Sequence, residues 1–144
     1  MDTKKQESSF QFMGSRVIEL HINNSYVTLD PSSNDSKSVD ITHQISDVIE
    51  HERSLLGSVQ LDINVSISNS TNEENPSKKE LILNVKIEGG FSATEEMPID
   101  EFKKMLHING VAALYSIARG LIISVTSQTL TSGQVVLPLL NFTK

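Results

Sequence analysis

The stretch Asn109–Thr126, NGVAALYSIARGLIISVT, decides the fold class of this chain, because it reads as a long helix that is apolar on nearly every side. One helical face alone carries six apolar side chains: Val111, Leu114, Ile117, Ala118, Leu121 and Val125. A helix coated in this way must be covered on two sides. A chain of 144 residues forms one sheet, which can cover only one side of the helix. We therefore expect a second copy of the chain to cover the other side.

The segments before this helix alternate between apolar and polar residues, which is typical of strands with one buried face. The first runs from Phe10 to Asn23 and is interrupted at Gly14, as a β-bulge would interrupt it. A second follows over residues 39–49. Residues 59–67 and 81–87 alternate most cleanly, and together they predict a long hairpin.

Glycine and proline mark the expected ends of the later elements. Gly89 and Gly90 are expected to end or bend the last strand. A short amphipathic helix is expected to begin near Pro98 and to run through Leu106, with a break at Asn109–Gly110 before the long helix starts.

Strands first and helices last is the α+β pattern. The sequence therefore predicts a four-stranded antiparallel sheet followed by C-terminal helices packed on one face. Residues 1–8 are polar and are expected to be a disordered tail, which leaves residues 9–144 as a single domain.

Composition excludes several classes of function. The net charge is −6 and the pI is about 5.1, which argues against a nucleic-acid partner, since surfaces that bind phosphates are basic. The absence of cysteine excludes disulfides and thiolate metal sites. The N-terminal residues lack the apolar run of a secretory signal, and Arg119 interrupts the long helix, so we expect a cytoplasmic protein without membrane insertion.

Motifs for catalysis, cofactors or metal are absent from the sequence. The four histidines, His21, His43, His51 and His107, form no metal-ligand spacing, and we expect them to be surface or half-buried residues. No GxSxG, GxGxxG or GxxxxGKS motif occurs. We therefore expect no catalytic residues, no metal, no cofactor and no enzymatic activity.

Arg119 has two interpretations in so apolar a helix. Its stem can pack on the helix while its guanidinium pairs with a carboxylate across a subunit contact. Alternatively, it binds a ligand. The apolar surroundings favour the first.

Three motifs in the last third carry a family resemblance: Gly89–Phe91, the helical run Ala113–Arg119 and the ending Leu137–Phe142. In order and spacing they resemble the SecB family of export chaperones. The upstream strands agree in number and spacing, including Phe10 and Phe12 at the opening of the first.

The resemblance implies an ATP-independent holdase that wraps unfolded precursor proteins in apolar grooves and hands them to the SecA motor. It also implies a homotetramer, built as a dimer of dimers with helices between sheets. A holdase needs exposed apolar surface to capture clients and net charge to stay soluble. The predicted client-binding groove consists of Phe10, Phe12, Tyr26, Phe102, Met105, Leu130, Val136 and Leu137. The predicted oligomer interface consists of Leu114, Tyr115, Ala118, Arg119 and Ile122.

Some positions depart from the family pattern. Ser116 stands where the family usually has proline. Glu19 matches an acidic position of the SecA-contacting face, but Asn23 and Asn84 stand where acids are common. The serine implies a straighter helix, and the thinned acidic face argues against handover to SecA and makes a dedicated client plausible, as in SecB-like chaperones attached to toxin–antitoxin modules.

Two alternatives to a holdase follow from the same residues. One is a non-catalytic interaction module that keeps the SecB fold, and the other is a small-ligand-binding protein that uses the crevice between sheet and helix. For the oligomer, the expectation is that Leu114→Asp dissociates it, because the substitution places a charge in a dry contact.

Overall fold

The structure is a computed structural model that describes residues 10–30, 35–69, 78–138 and 140. Strands come first along the chain and helices last. The elements are β1 (Phe10–Asn24), β2 (Ser36–Ile45), β3 (Ile49–His51), β4 (Ser54–Ser68), β5 (Glu80–Thr94), α1 (Ile99–Met105), a π-helical turn (Leu106–Gly110) and α2 (Val111–Thr129). The predicted α+β class is confirmed. The expected disordered tail, residues 1–8, lies outside the described residues, as does the end of the Leu137–Phe142 motif.

All strand pairs of the described sheet are antiparallel, and the strand order is β1-β5-β4-β2. β4 and β5 form the predicted hairpin, paired without interruption from Ser54–Thr94 to Ser68–Glu80. The short strand β3, which the sequence did not predict, pairs with the beginning of β4 beyond the end of β2.

Alternation in the two central strands matches their burial. Odd-numbered residues of β4 and β5 face the helices and are buried, among them Leu61, Ile63, Leu83 and Val85, each at 0% exposure. Their even-numbered neighbours form the opposite face, which we call the polar face. The core therefore lies between the centre of the sheet and the helices.

β1 is an edge strand with two irregularities. Its register against β5 shifts between Phe12 and Gly14, which confirms the predicted bulge, and again between Val17 and Glu19. Gly14 has φ +148°, a backbone conformation that other residues rarely adopt. The bulge therefore suits a glycine.

The predicted break at Asn109–Gly110 is wrong, as is a strand end, one of the two outcomes expected at Gly89–Gly90, and close packing explains why glycine stands at Gly89 and Gly110. β5 continues through Gly89 and Gly90 to Thr94, and the helix continues through Asn109 and Gly110 as a π-helical turn. A Cβ on Gly89 would lie 2.6 Å from Leu114 Cδ2, and a Cβ on Gly110 would lie 2.9 Å from Val59 Cγ2. These two glycines let sheet and helix approach each other and do not break either element.

The continuous helix Ile99–Thr129 is long and apolar enough, by length and composition, to cross a membrane. The core helix of a soluble protein satisfies the same criterion. Here one face of the helix lies on the sheet, with Phe102, Leu106, Leu114 and Ile122 fully buried. Packing within the chain therefore accounts for much of its apolar character.

The chain after α2 is fixed along the helix by hydrogen bonds from polar side chains. Tyr115 Oη donates to the Pro138 carbonyl at 2.6 Å, and Arg119 Nε donates to the Leu137 carbonyl at 2.8 Å. The Val135 amide donates to Thr126 Oγ1 at 2.9 Å. Arg119 thus has a backbone carbonyl as a partner within its own chain.

Candidate functional site

Three aromatic rings of the predicted groove lie together where β1 begins, around a fourth ring that the prediction omitted. Phe10 stacks on Phe91 at a centroid distance of 5.2 Å and contacts Phe102 at 5.7 Å. Phe12 contacts Phe91 at 5.4 Å. Phe91 is the residue after the glycine pair, and its place in the alternation of β5 was the signal that could have found it. We call Phe10, Phe12, Phe91 and Phe102 the aromatic cluster.

The exposed fraction of the rings in the aromatic cluster increases from the core to the surface. Phe102 and Phe91 are buried at 0% and 1% exposure, whereas Phe12 is 47% exposed. Met105, one turn after Phe102, is half-buried. The exposed ring of Phe12 therefore packs on the buried ring of Phe91.

An apolar depression adjoins the cluster on the opposite side of the sheet. It measures about 490 Å³ and is lined by Met13, Ile49, Leu56, Gly90 and Phe91, with Ser46, Asp47, Gly57 and Ser58. Met13 and Ile49 are 65% and 61% exposed. Because Gly90 carries no side chain, the surface between them is hollow.

The remaining groove residues lie at the other end of β5. Tyr26, Leu130 and Leu137 are buried and contribute to the core. Val136 is partly exposed and lines a depression of about 610 Å³ with Leu29 and with Ser127, Thr131, Ser132, Gly133 and Gln134. The structure therefore divides the eight predicted residues between two distant regions and does not bring them together in one groove.

The residues predicted for the oligomer interface are covered within a single chain. Leu114, Ala118 and Ile122 are at 0% exposure, and Tyr115 is at 3%. Leu114 packs under Gly89 of the chain's own sheet. The inference of a second cover for α2 must therefore rest on other residues of the helix.

Those other residues form the face of α2 that points away from the sheet. Ser116, Ile117 and Gly120 are exposed, Ala113 and Leu121 are partly so, and a Cβ on Gly120 would meet open space. We call this the outward face of α2. It is apolar and small, and nothing in the described part of the chain covers it.

The helix-side residues of β1 are also uncovered. Val17 pairs with Ile87 and Leu20 pairs with Val85, so both point to the same side of the sheet as the core. They are nevertheless 47% and 39% exposed, because the helix lies over β4 and β5. We call Val17 and Leu20 the β1 strip.

Glu19, the predicted SecA contact, lies on the polar face among exposed charges. Its carboxylate is 4.0 Å from Lys86 Nζ and 3.9 Å from His21 Nε2. Arg16 pairs with Glu88 at 3.2 Å on the same face. Glu19 and Glu88, two of the acidic side chains of this face, thus each have a basic neighbour.

Two histidines that are far apart in sequence meet in the structure. His43 Nε2, on β2, lies 3.1 Å from His107 Nδ1, in the π-helical turn. The rings are nearly perpendicular, at 77°. Burial, and then the neighbouring His107, lower the pKa of His43. Among the described residues, no group of three or more histidine and acidic side chains could hold a metal ion.

Solved structures with a similar fold include a chaperone. The chain matches the SecB-like chaperone Rv1957 of Mycobacterium tuberculosis, solved in complex with a ChAD peptide from the HigA1 antitoxin, with a TM-score of 0.65 and 12% identity over 92% of this chain and 91% of that one. It also matches a protein of unknown function from Streptococcus agalactiae, with a TM-score of 0.50 and 14% identity over 90% of this chain and 97% of that one.

No protein-family model matches the sequence, and no curated protein is similar to it. At 12% identity, the structural match defines the fold. The chain has a SecB-like fold, as the resemblance predicted.

Proposed function

We propose that this protein is a SecB-like, ATP-independent holdase that binds apolar segments of unfolded or precursor proteins without catalysis. One observation carries the proposal: Phe12, on the helix side of β1, and Met13 and Ile49, at the depression on the opposite side, are each about half exposed or more at the same end of the sheet. Monomeric proteins seldom leave such side chains clustered at the surface unless the patch binds something.

The aromatic cluster and the adjoining depression are the proposed centre of client binding. The buried ring of Phe91 packs against Phe12 and limits its movement, so ordering this side chain on binding costs less entropy. Methionine adapts its shape to varied partners, which suits Met13 to clients of differing sequence. Each apolar client side chain that becomes buried here contributes about 1.5–3 kcal/mol.

The depression around Val136 is proposed as a secondary client contact. Its lining alternates apolar residues with hydroxyl and amide groups, so it suits a client backbone as well as side chains. Tyr26, Leu130 and Leu137 support this wall from inside.

Self-association is proposed to bury the outward face of α2 and the β1 strip. Both surfaces lie on the helix side of the sheet and both are apolar, so one partner copy can cover them together. A dimer of dimers, as the resemblance implies, would place helices between sheets. Arg119 lies between the two faces of α2 and remains a candidate for the subunit contact.

A dedicated client is preferred over general export through SecA. The similar chaperone was solved with an antitoxin peptide, and the acidic charge of the polar face around Glu19 is partly neutralised by Lys86. We propose a cytoplasmic chaperone whose client is a labile protein such as an antitoxin, with SecA as the alternative recipient.

Suppression of aggregation tests the holdase proposal. The wild-type chain should prevent reduced insulin from scattering light at near-stoichiometric amounts. Phe12→Ser should raise the amount required about tenfold, because removing one buried contact costs roughly 1.4 kcal/mol or more. Ile82→Ser is the matched control, since Ile82 is similarly exposed on the polar face, away from the cluster.

The outcomes separate the alternatives. No suppression by the wild-type chain would favour an interaction module without client capture. Equal loss in Phe12→Ser and Ile82→Ser would contradict the assignment of the aromatic cluster. A small-ligand-binding protein would instead require a small molecule that raises the Tm.

A further inference from the structure

The contact between His43 and His107 points to a metal site that the sequence did not indicate. The two residues are 64 positions apart and belong to different elements, an edge strand and the π-helical turn. We propose that His43 Nε2 and His107 Nδ1 together bind one first-row transition-metal ion of the class that prefers imidazole, with zinc as the reference ion.

The spacing of the two nitrogen atoms fits a shared ion. Zn–N bonds are about 2.0–2.1 Å long, so two imidazoles at tetrahedral positions hold their nitrogens about 3.3 Å apart. The observed separation is 3.1 Å. This separation is also a hydrogen-bond distance, so an ion would replace the hydrogen bond between the rings and would require the tautomers in which both of these nitrogens are unprotonated.

The direction of His43 is fixed by the sheet. His43 is paired with Leu61, whose side chain is fully buried on the helix side, so His43 points towards the helices at the edge of the core. Its neighbours on that face, Ile41 and Ile45, are half-buried and limit its movement. One ligand is thus held by strand geometry.

The direction of His107 is fixed by the helix. Its neighbour Leu106 is fully buried and packs against Gly57, which anchors the π-helical turn on the sheet. Both histidines are nevertheless exposed, so an ion can reach them from solvent and complete its coordination with water. Two protein ligands predict an affinity weaker than that of a closed structural site, which has four.

A bound ion would join β2 to the π-helical turn through these two side chains. Since the ion binds the folded arrangement and the two ligands are distant in sequence, it stabilises the folded chain. The Tm should therefore rise by several degrees when zinc is present well above its Kd.

Calorimetry of tag-free, chelator-treated protein with zinc chloride tests this site. The wild-type chain should bind one zinc ion, and His107→Gln should weaken binding at least about tenfold, the loss expected when one of two ligands is removed. The matched control is the double variant His21→Gln/His51→Gln. It removes two exposed histidines that lie near carboxylates, Glu19 and Glu52, and it should bind zinc as the wild type does.

Nitrogen NMR of the unmodified chain makes the test independent of how any variant folds. Zinc should shift the resonances of His43 Nε2 and His107 Nδ1 and leave the ring nitrogens of His21 and His51 unchanged. The proposal is overturned if the wild-type chain binds no zinc, if His107→Gln binds it equally well, or if the shifts appear at His21 or His51.

Discussion

β1 and β5 are neighbouring strands of equal length, yet they differ in what covers them. In β5 the helix-side residues Leu83 and Val85 are completely buried, whereas their cross-strand counterparts in β1 include Leu20, which is 39% exposed. Both strands place apolar residues on the helix side, although β1 does so across two register shifts. The difference teaches that alternation identifies the face of a strand, while the position of the helix determines whether that face is buried.

The same contrast separates two faces of α2. Leu114 faces the chain's own sheet, and Ile117, less than one turn later, faces away from it. A covered residue and an uncovered one should respond differently to the same substitution. Three pairs of variants exploit this contrast.

The largest effect is expected from Leu114→Asp compared with Ile117→Asp. Leu114 is fully buried beneath Gly89, so a carboxylate there should unfold the chain, at a cost of more than about 4 kcal/mol. This replaces the expectation that Leu114→Asp merely dissociates the oligomer. Ile117→Asp should leave the circular dichroism spectrum intact and lower the mass measured by light scattering.

Two outcomes would contradict this prediction. If Leu114→Asp stays folded and lowers the mass measured by light scattering, Leu114 belongs to the subunit contact. An Ile117→Asp chain whose mass equals that of the wild type would remove the outward face of α2 from the proposed interface.

An intermediate effect is expected from Leu83→Ala compared with Leu20→Ala. Truncating the fully buried Leu83 should cost about 2–5 kcal/mol in the free energy of unfolding, because it leaves a cavity under the helix. Leu20→Ala should cost about 1 kcal/mol or less when the chain is dilute, since the side chain is partly solvated. Urea unfolding measures both values.

Repeating the comparison of Leu83→Ala with Leu20→Ala at several protein concentrations tests whether a partner copy covers β1. If a partner copy covers the β1 strip, the cost of Leu20→Ala should increase as the concentration rises. A cost that stays equal at all concentrations would contradict the proposed role of the β1 strip in self-association.

The smallest effect is expected from Gly89→Ala compared with Gly120→Ala. The new methyl at Gly89 would lie 2.6 Å from Leu114, so we expect a loss of about 1–3 kcal/mol through overpacking. Gly120 is inside α2 and faces open space, so alanine should stabilise the single chain by about 0.5–1 kcal/mol. Thermal unfolding of dilute samples should show opposite changes in Tm, and changes of the same sign would contradict the assignment of the two faces.

Much of the fold could be predicted because local patterns determine it. The clean alternation over residues 59–67 and 81–87 predicted the hairpin and its buried face, and Gly14 marked a bulge. The order of strands and helices then gave the α+β class. Gly89 and Gly110 were misread as breaks, because sequence alone does not reveal that a glycine is needed where two elements come close together.

The candidate site was less predictable, since it depends on contacts between distant parts of the chain. Phe10 and Phe12 were identified as groove residues, but Phe91 acquires its role only through the pairing of β1 with β5. Leu114 and Ala118 were assigned to a subunit contact because an apolar helix does not say which sheet covers it. The meeting of His43 with His107 likewise requires the tertiary fold.

The π-helical turn explains a change of spacing in the buried stripe of the long helix. Phe102 and Leu106 are four residues apart, whereas the next buried side chain, Val111, comes five residues after Leu106 and directly follows the buried Gly110. The later buried side chains follow at intervals of one to four residues. The wider turn absorbs one surplus residue while keeping both halves of the stripe on the sheet. A relative that lacks one residue here could carry the same stripe on an uninterrupted α-helix, so a length difference of one at this point is compatible with an unchanged architecture.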